Sequence, residues 1–134
     1  MKTVAFVCVH NSCRSQMAEA LAKKYGQGVL EPYSAGTEQV DQINQDAVRI
    51  MKDRYSIDME EDQHSKLIDE LPEVDYLITM GCNVECPFLP FRVRREDWDL
   101  DDPSGQSDEA FHKVIDMIEM KMQTLVEEVQ KSER

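Results

Sequence analysis

The sequence predicts one α/β domain, an open four-stranded parallel sheet with helices on both faces. Short β-branched and aromatic runs alternate with helical patterns along the chain, which is how a parallel sheet is written in sequence. The chain has 134 residues, 41% apolar and 31% charged, a size and mix that fit a single globular domain over residues 1–134. The first apolar run also passes into the first helical pattern through a loop of hydrogen-bonding residues, the usual start of an α/β unit.

In order, residues 3–7 (Thr-Val-Ala-Phe-Val) read as a buried parallel strand. Residues 15–25 put Met17, Ala18, Leu21 and Ala22 at helical spacing, ending near Gly26-Gln27-Gly28. Residues 29–34 are the second strand, after which Ser34-Ala35-Gly36 turns away from the sheet. Residues 44–53 carry Ala47, Val48, Ile50 and Met51 on one face of a second helix. Ser65-Lys66-Leu67-Ile68-Asp69 begins a short helix or turn, and His64 before it is a surface residue with no assigned role. Residues 74–80 form the third strand and residues 97–100 a short fourth. From residue 108 to about 131, Phe111, Val114, Ile115, Ile118, Met122, Leu125 and Val129 mark the buried face of a long helix. Its methionines are expected to fill the core.

Composition narrows the function. The net charge of −12, from 27 acidic and 15 basic residues, argues against nucleic acid or an anionic membrane as partner. No apolar stretch is long enough to span a bilayer and no signal-peptide pattern is present, so a cytoplasmic monomer is expected. The four cysteines, Cys8, Cys13, Cys82 and Cys86, show neither a Cys-x2-Cys knuckle nor a histidine pair, so no metal site and no cofactor are expected. In a reducing compartment such cysteines point to catalysis or redox chemistry.

The loop Cys8-Val9-His10-Asn11-Ser12-Cys13-Arg14-Ser15 concentrates the chemistry. Free N–H groups at a helix N-terminus and a cradle of turn amides from Val9 to Ser15 favour an anion. Arg14 adds a planar fork suited to two oxygens of a tetrahedral oxyanion. Cys8 sits in the same positive field, the setting that makes a thiol a nucleophile at neutral pH. Ser15 can donate to its sulfur, and Asn11 tolerates left-handed backbone. Alone, Cys8 is an ordinary buried cysteine and Arg14 an ordinary first-turn arginine. Together they place nucleophile and anion clamp on one loop.

Two further segments reach the same sheet edge, where active sites of open parallel sheets gather. The third strand delivers Gly81-Cys82-Asn83-Val84-Glu85-Cys86-Pro87, whose cysteines fit a thiol relay or, read plainly, a buried Cys82 and an incidental Cys86. The fourth delivers Asp101-Asp102-Pro103-Ser104-Gly105, where an aspartate fixed before proline suits a general acid, although Asp-Pro also occurs in plain turns.

Cys8-Val-His-Asn-Ser-Cys-Arg-Ser followed by Gln16-Met17-Ala18-Glu19 resembles the phosphate-binding loop of the low-molecular-weight protein tyrosine phosphatase superfamily. The Asn-Ser-Cys-Arg-Ser-Gln-Met-Ala-Glu form is most similar to its thioredoxin-coupled arsenate reductase branch. Ser34-Ala35-Gly36 and Trp98-x-x-Asp101-Asp102-Pro103 match in the same order. The resemblance implies strand order 2-1-3-4, Asp102 as general acid, a structural Asp101, and arsenate reduced at Cys8 with oxidation passed to Cys82 and then Cys86. It implies thioredoxin as reductant. The Cys82–Cys86 separation is shorter than usual in that branch, which leaves open glutaredoxin with glutathione, or direct reduction of a Cys8–Cys82 disulfide.

The alternative is phosphomonoester hydrolysis through a cysteinyl-phosphate, with Cys13 as redox guard or packing residue. Ser104-Gly105 stand where tandem tyrosines often follow Asp-Pro in the tyrosine phosphatases. A third reading is an anion-binding or redox-sensing module without turnover. Relatives of the reductase branch hold a potassium ion on residues matching Asn11, Glu19, Ser34 and an aspartate whose place is taken here by Lys66. The expectation is that the Lys66 ammonium supplies that cation; otherwise Lys66 points into solvent.

Overall fold

Alternation along the first strand decides which residues face which layer. The computed structural model describes residues 1–38, 40–81 and 93–132, in which β1 (Lys2–Cys8), α1 (Arg14–Tyr25), β2 (Leu30–Gly36), α2 (Gln45–Tyr55), β3 (Tyr76–Thr79), β4 (Arg94–Asp97) and α3 (Asp108–Ser132) follow in order. All pairings are parallel and the order is β2-β1-β3-β4, as expected. Val4, Phe6 and Cys8 point into a large core shared with α1, α2 and α3, while Ala5 and Val7 join Val74 and Leu77 in a smaller one. All three α-helices pack into the larger core, and among the described residues the smaller one is closed by the 3-10 turn Ile68–Glu70 and residues around it.

Helix α1 is buried on nearly all sides, from Arg14 to Ala22. Its apolar members Met17 and Leu21 enter the main core. Ser15, Gln16 and Glu19 are buried as well, which is tolerable only because each finds hydrogen-bond partners. Helix α2 is capped by Asn44, whose side chain accepts from Ala47 N at 3.1 Å, and stops at Ser56 in the left-handed region. Helix α3 begins with Asp108 and Glu109 and ends near Lys131, charges that complement its dipole.

Three expectations are corrected. Ser34-Ala35-Gly36 does not turn away; it completes β2 and pairs with Phe6, Val7 and Cys8. These residues are small because the sheet there runs directly under the loop. The fourth strand lies before residues 97–100, at Arg94–Asp97, and is exposed throughout. As an edge strand its charges are solvated and also discourage pairing with another chain. Trp98 and Leu100, whose spacing looked like a strand, are buried on an irregular segment in which Asp99 takes a φ of +49°. Of the α3 methionines Met122 fills the core, whereas Met117 and Met120 are exposed.

Candidate active site

The loop between β1 and α1 is held from outside by its carbonyls. Val9 O accepts from Glu38 N, His10 O from Ser65 Oγ and Ser12 O from Asn44 N, each at 2.8 Å, and Asn11 O accepts from Gln16 Nε2 at 2.9 Å. The C=O and N–H of a trans peptide point opposite ways, so these braces turn the amide edge of the loop away from them. Asn11 takes φ +52°, the left-handed backbone expected of it. Gly36 makes the close approach possible, since a Cβ there would lie 2.5 Å from Val9 O and 2.8 Å from Asn11 N.

A chain of hydrogen bonds, with its direction fixed as far as Ser15, leads to Cys8. Lys66 N donates to Asn11 Oδ1 at 3.0 Å, which orients the Asn11 amide, and Asn11 Nδ2 donates to Ser15 Oγ at 2.8 Å. The Ser15 hydroxyl in turn lies 2.8 Å from Cys8 Sγ, a contact in which its proton can be given to the sulfur.

Arg14 is only 8% exposed, and its Nη1 donates to Met80 O at 3.0 Å and Leu100 O at 2.7 Å. Two carbonyls at the ends of β3 and of the segment after β4 thus aim the guanidinium. Its Nε–Nη2 edge has no protein acceptor among the described residues, as a two-oxygen anion clamp requires. Gly81 keeps this geometry, because a Cβ there would come within 2.6 Å of Nη1.

Asp102 is exposed, its Oδ1 accepts from Ser104 N at 3.0 Å, and buried Pro103 follows it. Asp102 lies at the edge of an open cleft of about 760 Å³ that continues past Gln106 and Lys113 to Met117. The same turn comes close to the anion loop, because Ser104 and Asp102 both act on the Cys13 thiol. Burial pushes the Cys13 thiol up to about 12, with the Asp102 and Cys8 charges adding to it against the Ser104 hydrogen bond and Arg14. Cys13 is therefore a neutral packing thiol. In a Cys82→Ser/Cys86→Ser background, iodoacetamide at pH 7.5 to 9 should leave Cys13 unmodified while Cys8 is alkylated; peptide mass spectrometry reads both. Cys13 labelling as fast as Cys8 would contradict this. The predicted relay residues Cys82 and Cys86 lie outside the described residues.

Glu19, 5% exposed, sits behind the loop on α1. Ser34 Oγ donates to its Oε1 at 2.6 Å, Lys66 Nζ stands 3.6 Å from the same oxygen, and Lys23 Nζ is 2.9 Å from Oε2. Burial works against the Lys23 charge, but Glu19 and Asp62 outweigh it and hold its pKa above the ordinary lysine value. A carboxylate already facing two ammonium groups does not fit a further cation, so the residues present do not suit the potassium ion implied by the resemblance.

The sequence reading missed several supports. Gln16 appeared only as a motif letter, yet its Nε2 binds Asn11 O, Asn11 Oδ1 and His64 O, and Gln63 Nε2 in turn donates to Gln16 Oε1 at 2.8 Å. His64 thus contributes, by its carbonyl. The Lys23 contact was discoverable, because Glu19 and Lys23 have the i, i+4 spacing of helical ion pairs.

Comparison with known proteins agrees with this geometry. Residues 3–134 match the family described as low molecular weight phosphotyrosine protein phosphatase. An arsenate reductase of Brevibacillus brevis is 40% identical over 130 residues, covering 94% of this chain and 95% of its own. An arsenate reductase in the phosphate binding state superposes with a TM-score of 0.83 at 35% identity, over 96% of this chain and 99% of that one. A thioredoxin-dependent arsenate reductase of Corynebacterium glutamicum gives 0.77 at 31% identity, over 98% of this chain and 63% of that one. With nearly its whole length matched, the chain belongs to the low molecular weight phosphotyrosine protein phosphatase family.

Proposed function

We propose that this protein is an arsenate reductase working through a cysteine nucleophile and an intramolecular thiol relay. The observation that carries the reading is Cys8 at the start of a braced anion loop, with Ser15 Oγ 2.8 Å from its sulfur and Arg14 aimed by two carbonyls. Its similarity to the reductases named above supports the choice of arsenate as substrate.

Arsenate is held by the loop amides from Val9 to Ser15 and by the Arg14 fork. The Cys8 thiolate attacks arsenic, and Asp102 gives its proton to the departing oxygen, which leaves as water. The Cys82 thiolate then attacks Cys8 Sγ. The sulfur–arsenic bond breaks with its electron pair going to arsenic, which departs as arsenite, and a Cys8–Cys82 disulfide forms. Cys86 attacks Cys82, restoring the Cys8 thiolate and leaving a Cys82–Cys86 disulfide. Thioredoxin, a dithiol, supplies the two electrons that reopen it, a reading supported by the thioredoxin-dependent relative. Glutaredoxin with glutathione is the competing reductant. The reducing cytoplasm is the setting in which such thiols stay free.

Phosphate esters are the second reading, favoured by the family and by the same three groups: Arg14 clamps the phosphate, Cys8 takes the phosphoryl group and Asp102 protonates the leaving alcohol. The deciding experiment is arsenate-dependent NADPH oxidation with thioredoxin and thioredoxin reductase, run beside Cys82→Ser, Cys86→Ser and a para-nitrophenyl phosphate assay. Turnover lost with either serine variant is the expected result. Rapid phosphate release indifferent to both, without arsenate turnover, would establish the phosphatase instead.

A further inference from the structure

The Glu19 cluster invites a specific reading. Lys66 Nζ lies 3.6 Å from Glu19 Oε1 and donates to His64 O at 3.3 Å, so one ammonium touches a buried carboxylate and a backbone carbonyl at once. Oxygens of these two kinds are what a weakly hydrated monovalent cation would collect. The Lys66 side chain is 16% exposed and so is held in the structure, not extended into water. The same residue grips the anion loop by its backbone: Lys66 N donates to Asn11 Oδ1 at 3.0 Å, and Lys66 O accepts from Gly36 N at 2.8 Å. Its neighbour Ser65 holds His10 O at 2.8 Å.

We propose that the Lys66 ammonium, with Lys23 on the other oxygen of Glu19, is a built-in cation that replaces a bound potassium ion and positions the anion loop. Two consequences separate this from an incidental surface contact. The protein should not distinguish potassium from sodium, and removing the Lys66 charge should reopen a site that potassium can enter. Lys66 is a positioning residue, because it reaches Cys8 through other residues, Asn11 with Ser15 on one side and Gly36 on the other. The inference does not depend on whether arsenate or a phosphate ester is the substrate.

The test is thermal unfolding, with inorganic phosphate binding by calorimetry, in potassium chloride, sodium chloride or choline chloride at equal ionic strength of about 0.1 M. The unaltered protein should give melting temperatures within about 1 °C across the three salts and one phosphate affinity. Lys66→Asp and Lys66→Gln should melt about 3 °C or more higher in potassium than in sodium, since a cation bound only by the folded state stabilises it. Their phosphate affinity should fall about threefold to fivefold in sodium and recover in potassium, while Lys66→Arg should behave as the parent. Potassium-specific stabilisation of the parent would overturn the proposal. So would an unchanged phosphate affinity in Lys66→Gln, or a loss that neither salt restores. If Lys66→Asp fails to fold, Lys66→Gln alone decides.

Discussion

Replacing Cys8 by serine is expected to abolish both arsenate reduction and phosphate-ester cleavage, by about 10⁴-fold or more, while inorganic phosphate still binds. An alkoxide forms far less readily than a thiolate at neutral pH, so the loop loses its nucleophile at one stroke. The anion clamp stays: Arg14 keeps Met80 O and Leu100 O, and the loop carbonyls keep their braces. Serine keeps a hydroxyl within reach of Ser15, so little stability should be lost. The check is kcat for both reactions beside the phosphate dissociation constant from calorimetry. Residual turnover near a tenth of the parent's would mean that the reacting thiol is elsewhere.

Gly36→Ala should damage stability and chemistry together. The added Cβ would meet Val9 O at 2.5 Å, Asn11 N at 2.8 Å and Cys8 O at 3.0 Å, all backbone atoms that cannot step aside alone. Either β2 moves from β1 or the loop lifts. Overpacking of this kind costs about 2–3 kcal/mol, or roughly 10 °C in melting temperature for a chain of this size. A loop displaced by about 1 Å should lower kcat/KM about 100-fold even where the variant is fully folded. Urea unfolding followed by assays well below the transition separates the two effects. Normal kcat/KM in folded Gly36→Ala would show that the contact sets stability only.

These two residues also mark what can be read from sequence. Cys8 and Arg14 were legible because their chemistry is local: strand, loop and helix follow one another, and seven consecutive residues separate nothing that must be brought together. Gly36 read as a turn because its reason for being glycine lies at the end of β1 and in the loop after it, a crossover away. The carbonyls that aim Arg14, at Met80 and Leu100, carry no side-chain signal at all. The fourth strand was misplaced because burial and strand pairing part company there: Arg94–Asp97 pairs while exposed, and Trp98 and Leu100 are buried without pairing. Periodicity serves better where one face meets one core, and the buried face of α3 was read residue for residue. Asp102 needed its place after β4 as much as its proline.

The hydrogen-bond chain from Lys66 N through Asn11 and Ser15 to Cys8 works as an insulator. Its middle link is a side-chain amide, which has no proton to release near neutral pH, so this chain cannot relay a proton from Lys66 N toward the sulfur. The loop is thus braced from behind by contacts that hold the sulfur in place without wiring it to a source of protons on the Lys66 side.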